Sequence, residues 1–255
     1  MFGVSSFCLH QESLPEALDK LSAITGLVEI MDDGRHFVNS SDELDSFSLD
    51  YVFHAPCRSV NIASILEPIR RASVEVLGQC FSVAADVDAP VVLHPGYFTW
   101  EEERDRALSQ FRISLSEIDS LAEEHGISHY VENMGNWNYF FLRSPDELDL
   151  LGDVDLALDV GHANLNHCLD EFLSCRIHHV HLHDNDGTDD SHSAVGEGTI
   201  DFRAVMDAVR RDRATPIVEV ATLEGVLLSM KAIENVYHRI NNRRSIPPKH
   251  LKGVK

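Results

Sequence analysis

The sequence predicts a single α/β domain closed as a (β/α)8 TIM barrel, and three observations point to it. Eight short apolar runs alternate with longer amphipathic stretches along nearly all of the 255 residues, the order that builds right-handed βαβ units on a parallel sheet. No G-x-G-x-x-G follows the first run, where the runner-up, an open doubly wound sheet with a dinucleotide site, would want one. Metal-binding side chains also recur at the C-terminal ends of six successive runs, the end at which such barrels carry their active sites.

The elements follow in order. GVSSFCL (3–9) reads as the first strand, and LPEALDKLSAI after it has apolar residues at helical spacing. GLVEIM (26–31) is the second strand, with a connection of weak helical period. YVFHA (51–55) is followed by the helical stretch VNIASILEPIRRASVEVLGQCFSVAADV, and PVVLHP (90–95) by EEERDRALSQFRISLSEIDSLAEEHG. HYVEN (129–133) and VDLALDV (154–160) are strands whose connections are again less regular. HHVHLHD (178–184) leads through a turn at Gly196 to Gly198 and an N-cap at Asp201 into IDFRAVMDAVRRD. TPIVEVA (215–221) completes the set and precedes LEGVLLSMKAIENVYHRI. Residues 1–240 are thus one barrel domain, and 241–255 are a basic C-terminal tail, read as a flexible end.

Composition narrows the function classes. The formal charge of −21 works against tight binding of a nucleic-acid backbone, which needs clustered Lys and Arg. Five Cys, odd in number and without a C-x-x-C pair, fit neither a disulfide framework nor a cysteine zinc site. There is no run of eighteen apolar residues and no charged-then-apolar leader, so the expectation is a cytoplasmic protein with no membrane partner.

The strand ends carry the chemistry. They present His54, then His94, Glu132, Asp159 with His162 three residues on, His181 with His183, and Glu219. Carboxylates on strands otherwise filled with Val, Leu and Ile are costly to bury without a cation. None of the eight runs carries a Lys or Arg to pair with them, which also removes a Schiff-base aldolase. A divalent ion held by Glu132, Asp159, His181 and Glu219 is the economical answer, since carboxylates and imidazoles from different strands can converge above the core. Strand alternation turns His183 to the same side as His181 and Asp184 away from it.

With these residues in place, the chain resembles the xylose-isomerase-like TIM-barrel superfamily, which includes sugar isomerases and epimerases and the related endonuclease IV nucleases of apurinic sites. The resemblance rests on FHAP (53–56), VVLHPG (91–96), VEN (131–133), LDVGH (158–162), HLHDNDG (181–187), HSAVGEGTID (192–201) and VEV (218–220). In the isomerase and epimerase branch it implies one divalent ion, Mn, Mg, Co or Zn, on Glu132, Asp159, His181 and Glu219. Glu132 and Glu219 would be the catalytic pair, moving a proton through an enediolate of a sugar or sugar phosphate, with His162 orienting the substrate or sharing in the transfer. In the endonuclease branch it implies up to three Zn on nine side chains, adding His54, His94, His162, Asp190 and His192, and makes abasic DNA the partner.

Two features favour the isomerase branch. The acidic balance offers no phosphate-tracking surface, and APCRSVN after His54 lacks the apolar wedge that opens a base stack. Arg58, Trp100, Trp137 and His183 are the expected substrate-binding residues, with Tyr97, Phe98 and Tyr139 as further aromatic wall. A metal-dependent sugar-binding protein without catalysis is the third reading, opposed by the intact Glu132 and Glu219 pair.

Overall fold

Alternation along each strand decides what the barrel contains. The strands are β1 (Gly3–Ser5), β2 (Leu27–Met31), β3 (Asp50–His54), β4 (Val91–Leu93), β5 (His129–Glu132), β6 (Asp155–Asp159), β7 (His179–Leu182) and β8 (Thr215–Val218). In β7, which reads His-Val-His-Leu, Val180 and Leu182 join the outer apolar core, while His179 and His181 meet Glu29 of β2 across the interior. The computed structural model describes residues 2–244. Its strands are all parallel and close in chain order, β1 pairing with β8 through Gly3 opposite Ile217 and Val4 opposite Val218.

Seven α-helices pack around the barrel among the described residues: α1 (Leu14–Ser22), α2 (Glu67–Asp86), α3 (Arg104–His125), α4 (Val160–Leu165), α5 (Leu169–Ser174), α6 (Phe202–Asp212) and α7 (Leu223–Arg244). Their apolar faces and the outward residues of the strands form one continuous core. Inside the barrel the apolar material is a small separate cluster of Val52, Val92, Ala157 and Ile217, with Leu27 and Tyr130 against it. The mouth above that plug is therefore free for polar side chains.

The less regular connections have a structural counterpart. Between β2 and β3 the chain makes only 3-10 turns, Gly34–His36 and Ser41–Ser46, and between β5 and β6 only Pro145–Leu151. SDELDS buries Leu44 alone, too little to hold a helix on the barrel. β1 also ends earlier than the sequence pattern implies. The Ser5 hydroxyl accepts the Phe7 N–H at 3.3 Å and the Ser6 hydroxyl accepts the Met31 N–H at 3.0 Å, so serine oxygens take over from strand pairing and Ser6–Leu9 becomes a 3-10 turn. That turn swings Phe7 over the mouth.

Asp201 caps α6, its carboxylate accepting the Arg203 N–H at 3.0 Å. α7 runs to Arg244, and residues 245–255 of the basic segment lie outside the described residues. No helix among the described residues is long and apolar enough to cross a membrane.

Candidate active site

The site is assembled by the strand ends and the first turns after them. β6 passes directly into α4, and Asp159 caps that helix by accepting the His162 N–H at 2.7 Å. Asn133, next to Glu132, ties β5 to β6: its side chain accepts the Asp159 N–H at 2.7 Å and donates to the Asp159 carbonyl at 3.0 Å. At the exit of β4, Gly96 has φ +78°, and a Cβ there would lie 2.7 Å from the Asn61 side-chain oxygen. That close approach lets Asn61 hold both backbone groups of Tyr97, accepting at 3.0 Å and donating at 2.9 Å.

Four side chains meet at the centre. His181 Nδ1 lies 3.4 Å from Glu219 Oε2, 3.6 Å from Glu132 Oε1 and 3.8 Å from Asp159 Oδ2, and all four residues are buried. His181 Nδ1 has no hydrogen-bond partner. A buried, unpartnered imidazole nitrogen facing three carboxylates, with no Lys or Arg beside it among the described residues, fits a divalent cation. On one side Glu132 Oε2 receives His54 Nε2 at 3.2 Å and His94 Nε2 at 3.3 Å. On the other side Asp190 Oδ2 lies 3.3 Å from His192 Nε2 and 3.5 Å from His162 Nε2. All nine side chains named from the endonuclease resemblance therefore meet in one mouth: Glu132 joins His54 and His94 to the central four, and His162 Nδ1, 3.1 Å from Glu132 and 3.7 Å from Asp159, joins Asp190 and His192 to them.

The histidines are aimed by what holds their other nitrogen. His54 Nδ1 donates to the Ala55 carbonyl at 3.0 Å, His162 Nδ1 to the Asn133 carbonyl at 3.0 Å and His192 Nδ1 to the Glu219 carbonyl at 2.9 Å, so each turns Nε2 to the mouth. His181 is reversed, with Nε2 toward Glu29 and Nδ1 toward the mouth.

Charge is strongly coupled here. Burial opposes ionisation of Glu132, yet His181 and His94 outweigh it and hold the carboxyl well below its usual range. Burial likewise opposes charge on His54, and Glu132 and Glu219 nevertheless push it up to about 9. His192 also rises to about 9, burial being overcome chiefly by its hydrogen bond to Asp190. The mouth is a field that draws positive charge.

Above these groups opens a cavity of about 590 Å³. Arg58, Tyr97, Trp137 and Tyr139 line it. Trp100 does not: it sits just before the turn into α3, 65% exposed, beyond the point where Asn61 fixes Tyr97. Phe98 is buried against Phe141 in the outer core. His183 lies beneath the mouth, fully buried, its Nε2 donating to Asp159 at 3.0 and 3.1 Å and its ring stacked 4.0 Å from His192. Asp184 faces the other way and accepts the N–H groups of Gly196 and Ile200.

Phe7, Met31, Met134 and Phe140 also line the cavity, and the sequence pattern does not single them out. The strand-like pattern of GVSSFCL hides the turn that carries Phe7. Met134 and Phe140 stand in an irregular loop with no period to place them. Glu29 was missed although its signal was present, a carboxylate inside the apolar run GLVEIM.

The profile of the xylose isomerase-like TIM barrel family matches residues 16–230. The chain belongs to this family. Within it, the protein is 32% identical over 254 residues to an uncharacterized protein of Methanocaldococcus jannaschii, covering 96% of this chain and 98% of the relative. A solved structure described as a D-tagatose 3-epimerase-like protein superposes with a TM-score of 0.87 at 29% identity, covering 96% of this chain and 99% of that one. A probable endonuclease 4 of Mycobacterium leprae is 28% identical over 203 residues, 72% of this chain and 77% of the relative.

Proposed function

We propose that this member of the xylose isomerase-like TIM barrel family is a divalent-metal-dependent isomerase or epimerase acting on a sugar or sugar phosphate. The observation that carries the reading is the pair Glu132 and Glu219, 3.6 and 3.4 Å from His181 Nδ1, beneath a cavity walled by Phe7, Tyr97, Trp137, Tyr139 and Phe140. Such a cavity suits a small molecule with apolar C–H faces and hydroxyl edges. The likeness in fold and sequence to a D-tagatose 3-epimerase-like protein supports the same class.

Glu132, Asp159, His181 and Glu219 are the residues that would hold the ion. When bound, a divalent ion supplies Lewis acidity, polarising a carbonyl and its neighbouring hydroxyl and acidifying the C–H between them. One glutamate takes the proton from that carbon and the other returns it, on the opposite face for epimerisation or at the adjacent carbon for isomerisation. His162, 3.1 Å from Glu132 through Nδ1, would hold Glu132 and the substrate hydroxyl in register. Among the described residues, Arg58 is the sole Lys or Arg on the cavity lining and would take the phosphate of a sugar phosphate.

A second reading, hydrolysis of the phosphodiester at an abasic site, is favoured by one specific observation, the convergence of His54, His94, His162, Asp190 and His192 with the central four. The test is metal content per chain by elemental mass spectrometry, followed by two assays on the same preparation. One ion per chain and deuterium incorporation from solvent into a keto sugar support the isomerase. Two or three Zn per chain and cleavage of an abasic-site duplex without deuterium incorporation replace it with the nuclease.

A further inference from the structure

His181 differs from His54, His162 and His192 in what fixes its ring. His54, His162 and His192 each lean on a backbone carbonyl, which no substitution can remove. His181 leans on a side chain from the far wall of the barrel. Its Nε2 lies 3.1 Å from Glu29 Oε1 and 3.3 Å from Oε2, and Glu29 Oε2 also accepts His179 Nε2 at 2.7 Å. All three residues are fully buried, and Glu29 has no Lys or Arg partner among the described residues. A carboxylate in the interior of β2 is expensive to keep there, and what it accomplishes is visible in the geometry.

We propose that Glu29 is a positioning residue that keeps the Nε2 proton on His181, so that Nδ1 stays free as the nitrogen donor of the Glu132, Asp159 and Glu219 site. An imidazole protonated on Nδ1 instead would present a hydrogen to the centre and could not bind a cation there. His179 takes the remaining lone pair of Glu29 Oε2 and stops the carboxylate from rotating away. Glu29 itself touches neither the cavity nor the three carboxylates: it acts through His181. The proposal rests on the metal-dependent reading above and holds whether the chemistry is isomerisation or hydrolysis.

The test uses Zn²⁺ and the full-length protein. The 15N shift of His181 Nδ1, identified by its absence in H181Q, reports the ion at this site, because direct ligation moves that nitrogen far more than an ion bound elsewhere in the mouth. Free Zn²⁺ is set with a chelator buffer, and the concentration for half-occupancy is compared between wild type and E29Q. Gln keeps the volume of Glu but loses its charge, and if its oxygen keeps both histidine N–H groups its NH2 takes the place of Oε1, 3.1 Å from His181 Nε2, and sets donor against donor. Half-occupancy in E29Q is expected at a Zn²⁺ concentration roughly 10–100-fold higher, together with faster solvent exchange of the His181 Nε2 proton. Equal half-occupancy overturns the proposal. So does a wild-type spectrum in which Nε2 is the metal-bound nitrogen, a result that needs no variant to fold. A wild type whose His181 shift never responds to Zn²⁺ overturns the metal-dependent reading itself, and this proposal with it.

Discussion

Glu219 is the residue on which the catalytic reading is most exposed. Glu219→Gln keeps the size of the side chain and one acceptor oxygen, while Glu132, Asp159 and His181 remain to hold an ion. Turnover is expected to fall about 10²–10⁴-fold, the usual contribution of a positioned general acid or base, with bound metal still detectable by elemental analysis. Retained turnover would remove Glu219 from the proton path, and loss of metal alongside turnover would leave it a ligand only. Asp32, off the cavity lining but bonded through its backbone N–H to the His54 carbonyl at 2.9 Å, tests the physics of burial. It is buried at the end of β2, where one oxygen accepts the Val38 N–H at 2.7 Å and the other has no partner. Burial raises its pKa from 3.8 to about 6. The folded protein thus binds this proton more tightly than the unfolded chain, so stability is lost as pH rises from about 4 to about 6. The shift corresponds to about 3 kcal/mol at most. Asp32→Asn, which is neutral throughout, should therefore match wild type near pH 4 and exceed it above pH 6 in urea denaturation. A pH-independent difference between the two would show that the buried charge is not the cause.

At the scale of elements, the step from β6 into α4 is the tightest junction of the site. Gly161 follows Asp159 by two residues, and a Cβ there would overlap the His183 ring. His183 in turn holds both oxygens of Asp159. Gly161→Ala should push His183 off Asp159, costing about 1–3 kcal/mol of stability as an overpacked site and weakening metal binding as well. Urea midpoints and Zn²⁺ titration separate the two effects, and a variant that loses stability alone would make His183 a packing residue. The same junction shows what a sequence can reveal. Asp159 and His162 were legible because a carboxylate and an imidazole at the end of an apolar strand require a polar or cationic partner there. The helical periods of α2, α3, α6 and α7 were legible because long amphipathic faces must be buried. The connections after β2 and β5 carry no such period, so their 3-10 turns and the cavity wall built by Met134, Trp137 and Phe140 depend on tertiary packing. His183 lay on the right side of β7, yet its depth below the mouth depends on the stagger between β6 and β7, which pairs Asp159 with His181. Glu29 was legible in principle, since it is, like Glu132, a charge on an apolar strand.

For the whole molecule, two charge distributions matter. Within the mouth, Glu132, Asp159, Asp190 and Glu219 are gathered with no Lys or Arg paired to them among the described residues, so an ion that binds only the folded state stabilises it by mass action. Dialysis against a chelator should lower the melting temperature by about 5–10 °C relative to protein holding Zn²⁺ or Mn²⁺ at a hundredfold excess over Kd, with recovery on returning the ion. A melting temperature indifferent to chelation would mean that the histidines alone balance the carboxylates. Over the whole chain the formal charge is −21, and like charges spread over one barrel repel each other in the folded state more than in the expanded chain. Raising NaCl from about 10 mM to about 150 mM shortens the screening length from about 30 Å to about 8 Å, so the melting temperature of the metal-loaded protein should climb steeply over that range and flatten beyond it. The same field bears on the choice of substrate. A duplex brings a dense line of phosphates toward an acidic surface, so its binding should be weakest where screening is least and should gain with the first additions of salt, whereas a protein that tracks phosphates through Lys and Arg loses affinity steadily. A steady loss of affinity for an abasic duplex with rising salt would reveal a basic track over the mouth and move the balance to the nuclease, while a neutral keto sugar should bind with no salt dependence at all.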